Sequence, residues 1–175
     1  MLAPAEPRNT RTELGANMNK KYLFTFGALL AVAAVVMGYQ GRSRAPKSPK
    51  EDRDIAAVRA VAEAQVAAWN RGDIEGFMDG YAREDTITFV SGDTITRGWQ
   101  TVMDRYKKNY DSREKMGTLA FTELEFRPLS PFYIMAVGRF QLTRGGDMPH
   151  GRFTLVFRRT TGGWRIVHDH TSSAS

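Results

Sequence analysis

The sequence predicts an α+β domain, and three observations predict it. Apolar residues recur at three- and four-residue intervals from Ile55 to Trp69, the spacing of one helix face. Beyond Tyr110 the chain breaks into four strand-like runs separated by Gly- and Pro-containing turns. Helical and extended patterns are segregated along the chain, which points to helices packed on one face of a mostly antiparallel sheet. With 175 residues, 42% of them apolar and 11% aromatic, one such domain with a real core is the expectation.

The elements follow in chain order. Residues 1–17 are polar and contain two prolines, and read as disordered or as a spurious extension of a reading frame that starts at Met18. Residues 18–41 hold Lys20 and Lys21 followed by 18 uncharged residues, Tyr22 to Tyr39, the layout of a signal peptide or of a single membrane anchor. Membrane contact is expected only through residues 22–39, and the domain is expected to be exported, periplasmic or secreted, or held at the membrane by that segment. Basic residues flank it on both sides, so charge does not fix an orientation. Residues 42–51, with two prolines, two serines and Arg42, Arg44, Lys47 and Lys50, read as a linker.

The folded domain is expected over residues 52–175. Ile55, Val58, Val61, Ala62, Gln65, Val66 and Trp69 mark a helix from about Asp52 to Arg71, stopped at Gly72. Asp73 to Tyr81 reads as a short second helix, with Asp73 capping its free amides and Ile74, Phe77, Met78 and Tyr81 on one face. Asp85 to Arg97 is a hairpin turning at Ser91-Gly92-Asp93, and Gly98 to Tyr110 is a third helix through Trp99, Val102, Met103, Tyr106 and Tyr110. Four strands should then span Thr118–Pro128, Phe132–Arg144, Gly151–Thr160 and Gly163–Thr171.

Charge narrows the partners. The net +6 divides unevenly: the first 49 residues hold seven Lys/Arg against two Glu, and the rest holds 18 against 17. A stripe of cations able to track phosphates is not indicated for the folded part, so no nucleic-acid partner is expected. The absence of cysteine excludes a disulfide and a thiolate metal site. There is no serine nucleophile elbow, no phosphate-binding Gly-rich loop and no dinucleotide fingerprint; Gly145-Gly146 and Gly162-Gly163 punctuate hairpins.

Four stretches carry a family resemblance: Val66-Ala-Ala-Trp-Asn-Arg-Gly-Asp-Ile-Glu-Gly-Phe-Met-Asp-Gly-Tyr81, Arg97-Gly98, Gly151-Arg-Phe-Thr-Leu-Val-Phe-Arg158 and the closing Gly162-Gly-Trp-Arg-Ile-Val-His-Asp-His-Thr-Ser172. Together they resemble the SnoaL-like family of the nuclear transport factor 2-like superfamily over residues 52–173. The resemblance implies a cone-shaped barrel of N-terminal helices on a curved, mostly antiparallel sheet, often a homodimer through the outer sheet face. It implies a pocket for a small molecule, used by some members for catalysis and by others only for binding. Ketosteroid isomerases and the SnoaL cyclase of that superfamily use an aspartate with Tyr, His or Asp to move a proton beside a carbonyl, but their catalytic motifs do not map residue by residue onto this chain.

Candidate site residues follow from chemistry and strand alternation. Side chains alternate faces along a strand, so Trp164, Ile166, His168 and His170 are expected on one surface, the cavity wall, with Arg165, Val167 and Asp169 on the other. Imidazole exchanges protons near neutral pH, which makes His170 the first candidate acid or base and His168 the second. Asp79 on the short helix is the carboxylate expected to pair with them, with Glu63 and Asp85 as other sources. A structural reading stands beside it: one imidazole bonds a backbone group and the other sits at the rim. No metal is expected, because zinc wants three or four ligands and the remaining histidine, His150, sits in a turn beside Pro149. Trp69, Tyr81 and Trp99 are expected near the cone's mouth, as ligand contacts or as core. Arg139, on the strand face of Tyr133, Met135, Val137 and Gln141, would offer a fork to an anionic ligand or pair with a helix carboxylate. No cofactor is expected, and a non-catalytic dimerising module is the alternative to a binding or acid/base pocket.

Overall fold

The computed structural model describes residues 48–174, so the expectations for residues 1–17, the export segment and most of the linker lie outside the described residues. The linker's end is not a linker. Ser48 accepts a hydrogen bond from the Glu51 amide (3.1 Å), Pro49 occupies the first turn, where its missing N–H costs nothing, and helix α1 runs Pro49–Asn70. Its buried residues, Val58, Ala62, Gln65, Ala68 and Trp69, lie on the expected face. Gly72 takes φ 86°, a left-handed conformation that ends the helix, and the Asp73 carboxylate then caps α2 (Ile74–Met78) by accepting from the Gly76 amide at 2.7 Å. Among the described residues no helix is long and apolar enough to cross a membrane.

The hairpin forms as β1 (Thr88–Ser91) and β2 (Thr94–Arg97), followed by α3 (Trp99–Asn109). A single turn, α4 (Arg113–Met116), was not expected; Ser112 caps it by accepting from the Lys115 amide. The four strands are β3 (Thr118–Ser130), β4 (Tyr133–Thr143), β5 (His150–Thr160) and β6 (Gly163–Ser173). The expected turn at Pro128 is still strand; the chain reverses only at Pro131-Phe132, and Pro128 sits beside a register shift, where a missing donor is tolerated.

The six strands form one sheet in the order β2-β1-β6-β5-β4-β3, antiparallel throughout except for β1 against β6. The sheet is curved and unclosed, and the helices cover its concave side, as an α+β cone requires. Two bulges bend it. In β3, Glu123 and Leu124 stand where β4 offers only Gly138, and Glu123 takes φ 54°. A side chain at Gly138 would have to share space with the Phe153 ring (2.5 Å) and Leu124 (2.8 Å), so the bend needs a glycine there.

The second bulge is in β6. Phe157 pairs with Ile166 and the next residue of β5, Val156, pairs with His168, so Val167 has no partner. At the same point β6 changes neighbours on its other side. The Ile166 backbone bonds to Gly80 and Ala82, and from His168 onward the strand runs beside β1. Alternation restarts after Val167 with opposite parity.

Arg152, Arg158 and Arg159 belong to the interior strand β5 and are paired with Glu123, Glu84 and Asp54 respectively.

Candidate functional site

Between the helices and the concave sheet face lies a cavity of about 370 Å³. Its walls are mostly apolar and aromatic: Trp69 from α1, Phe77 from α2, Tyr106 from α3 and Tyr110 just past its end, and Phe140 and Phe153 from the sheet. The rings meet edge-on, Trp69 against Phe77 at 5.1 Å and Tyr110 at 4.7 Å between centroids, an arrangement that fixes their orientation. Trp69 is further held by its indole N–H, which donates to the Met116 carbonyl at 3.1 Å.

Asp169 supplies the cavity's carboxylate. The bulge at Val167 places Asp169 on the inner face beside Phe89 and Leu155, where it is 3% exposed. Tyr81, just past α2, donates its hydroxyl to Asp169 Oδ2 at 2.6 Å, and Thr171, two residues on along the same face, donates to Oδ1 at 2.7 Å. The Tyr106 hydroxyl lies 3.5 Å from that of Tyr81, at the limit of hydrogen bonding.

Burial pushes the Asp169 carboxyl up to about 6; the two hydroxyl donors and the charge of His170 act in the other direction and are outweighed. Burial, reinforced by the Asp169 charge, holds the Tyr81 and Tyr106 phenols well above their ordinary range, so both remain proton donors. A carboxyl poised near neutrality beside protonated phenols, in an apolar hollow, is equipped to take a proton from one atom while a neighbouring oxygen receives a hydrogen bond.

The strand-alternation expectation for the histidines is corrected. His168 and His170 lie on the outer sheet face, opposite the one that carries Asp169, because Val167 is unpaired and reverses the parity set by Trp164 and Ile166. His168 Nδ1 is 2.6 Å from the Thr88 hydroxyl, and burial, then the proximity of His170, lowers its pKa. His170 is exposed. Asp79, at the C-terminal end of α2, is exposed and paired with Arg83 at 2.9 Å, away from the cavity.

Of the expected ligand contacts, Trp69 and Tyr81 line the cavity. Trp99 and Arg139 do not. Trp99 donates to the Met78 carbonyl at 3.2 Å and carries the Arg83 guanidinium over its ring at 4.6 Å. Arg139 pairs in register with Thr122 and Arg152 on the outer face, because the inward positions of β4 are Ile134, Ala136, Gly138, Phe140 and Leu142. Among the described residues no group of three or more His, Asp or Glu is placed to hold a metal ion. His150 Nδ1 meets the Met148 carbonyl at 3.1 Å.

Asp169, Tyr106, Arg105 and Arg144 line the cavity without having been singled out from the sequence. Tyr106 was legible, since it shares the helical face of Val102 and Met103. Asp169 was visible only to a reader who took the paired apolar residues Ile166-Val167 as a break in alternation.

Residues 58–175 match the family described as SnoaL-like domain. Among solved structures the chain is similar to an NTF-2 like protein of unknown function from Shewanella oneidensis MR-1, at 36% identity and a TM-score of 0.65, over 67% of this chain and 98% of that one. It shares its fold with a ketosteroid isomerase-like protein from Erwinia carotovora atroseptica SCRI1043 (20% identity, TM-score 0.56, 69% of this chain and 95% of that one). The same holds for an uncharacterized cystatin-like fold protein from Caulobacter vibrioides (19% identity, TM-score 0.59, 70% and 91%). No curated protein matches the sequence.

Proposed function

The chain belongs to the SnoaL-like domain family, and from that premise we propose that its cavity binds a small, largely apolar carbonyl compound and that Asp169 moves a proton on it. One observation carries the reading: a carboxyl buried at the wall of an apolar cavity, raised to about 6, with a phenol 2.6 Å from one oxygen. In the step this arrangement favours, ionised Asp169 accepts a proton from the carbon next to the carbonyl. The electrons of that C–H bond form a carbon–carbon double bond, and the carbonyl oxygen takes up negative charge against the Tyr106 hydroxyl. Returning the proton to the same or a neighbouring carbon gives exchange or isomerisation. The likeness in fold to a protein titled ketosteroid isomerase-like agrees with this chemistry.

The test is deuterium wash-in from heavy water into cyclic ketones that fit the cavity, such as 2-indanone and 2-tetralone, followed by NMR. The protein should accelerate exchange and Asp169→Asn should lose the acceleration, by about 100-fold or more. Equal acceleration by protein and variant would reject Asp169 as the base, and no acceleration by either would leave a binding pocket without catalysis.

A homodimer is the second part of the proposal. Met135, Val137 and Val156 are adjacent, half-buried apolar residues on the outer face of β4 and β5, the kind of self-complementary patch that a two-fold interface uses. Sedimentation at micromolar concentration should give twice the monomer mass; a monomer there would reject it. The uncharged run of residues 22–39 supports an exported or membrane-held domain, which cell fractionation with and without that run tests.

A further inference from the structure

We infer that the cavity's polar end is a carboxylate subsite built from Arg105 and Arg144, so that the ligand is an amphipathic acid with its apolar body between the aromatic walls. The inference rests on the binding-pocket reading above and names the class of molecule that pocket takes. Arg144, just past the end of β4, lines the cavity, and its Nε–H is buried without any hydrogen-bond partner. Its one carboxylate neighbour, Asp147, is 3.7 Å from Nη1 and 58% exposed, too far for a direct hydrogen bond. Arg105 on α3 lines the same cavity with its guanidinium 5.1 Å from the centre of the Phe89 ring. Among the described residues it pairs with no carboxylate.

Both arginines line the same cavity as Tyr110, and their charges oppose the rise that burial gives its pKa. Asn109 and Ser173, both exposed, add an amide and a hydroxyl to the lining. A buried N–H without an acceptor is costly, and the planar fork of arginine fits a carboxylate through two parallel hydrogen bonds. Asp147 offsets part of the charge on Arg144, so the pair is left suited to a singly charged group rather than a doubly charged phosphate. Asp169, the acidic group of the lining, is engaged by Tyr81 and Thr171 and so does not compete for either guanidinium.

The experiment is calorimetry on the full chain at pH 8 and low salt with matched probes: 2-naphthoate, 4-phenylbenzoate and indole-3-acetate, each against its own carboxamide. The acids should bind at least about tenfold tighter than the amides. Arg105→Met and Arg144→Met should bring each acid to within about twofold of its amide while leaving the amide affinity in place, and Arg144→Lys should restore part of the preference. Equal binding of acids and amides to the unaltered protein, or variants that weaken both alike, would overturn the subsite and leave the pocket standing. No binding by any of the six probes would overturn the pocket reading and the subsite with it.

Discussion

The hydroxyl of Tyr81 and the carboxylate of Asp169 meet across 2.6 Å although 88 residues separate them in the chain. The backbone brings them together. Gly80 and Ala82, on either side of Tyr81, bond to the Ile166 backbone, so the segment after α2 is laid along the start of β6 and the two polar groups are fixed before any side chain is placed. The contact cements two elements and sets the proton affinity of the cavity's acid, and the variants below separate those roles.

Asp169→Asn should make the domain relatively more stable toward neutral pH. The folded carboxyl titrates at about 6 against 3.8 for the free group, so the folded state holds more protons between those values and loses stability as pH rises through them. The loss, up to about 3 kcal/mol, is fully expressed above pH 7 and absent below about pH 4. Urea unfolding of both proteins from pH 4 to 8 checks it; parallel curves would contradict the assignment.

Tyr81→Phe removes a hydrogen bond that favours the ionised carboxylate. The Asp169 titration, followed by carbon NMR of the side-chain carboxyl, should move further up, and stability at pH 7 should fall by about 1–2 kcal/mol. A downward movement would mean that the phenol acts on the acid chiefly by excluding water.

His170→Ala should keep the rise of ketone exchange near pH 6, moved only slightly upward by loss of the His170 charge, because His170 is on the opposite sheet face from the cavity. His168→Ala should do the same while costing about 1 kcal/mol through the lost bond to the Thr88 hydroxyl. A profile that flattens in either variant would return the acid/base role to an imidazole.

Gly138→Ala should destabilise by about 1–3 kcal/mol, since the new methyl group meets the Phe153 ring and Leu124 where β3 bulges past β4. The same change should tighten the cavity from the Phe153 side and weaken probe binding. Thermal unfolding and probe titration measure the two effects separately.

Most of the architecture was legible in the sequence because it rests on periodicity and local chemistry. The 3.6-residue spacing of Val58, Ala62, Gln65 and Trp69, the stop at Gly72, the cap at Asp73 and the four strands each follow from neighbours a few residues away. Trp69 and Tyr81 were placed at the cavity on that basis. What local pattern does not hold is the register of β6, which depends on the Gly80–Ala82 segment and on β1, distant partners that compete for the same strand edge. One unpaired valine there puts Asp169, and not His168 or His170, at the cavity wall. Arg139 was misplaced for the converse reason: alternation in β4 is regular, but the inward face is the one that carries Ile134, Ala136, Phe140 and Leu142, not the one that carries Tyr133, Met135 and Val137.

Val167 therefore works as a frame-shifter for the final strand. In a chain with the same Trp-Arg-Ile-Val-His-Asp-His ending, pairing this valine regularly with β5, with no residue gained or lost, would turn the imidazoles inward and the carboxylate outward, whereas deleting it would leave the carboxylate inward. Aligning such chains column by column would match side chains that look in opposite directions; only counting strand partners tells which of them a bound molecule meets.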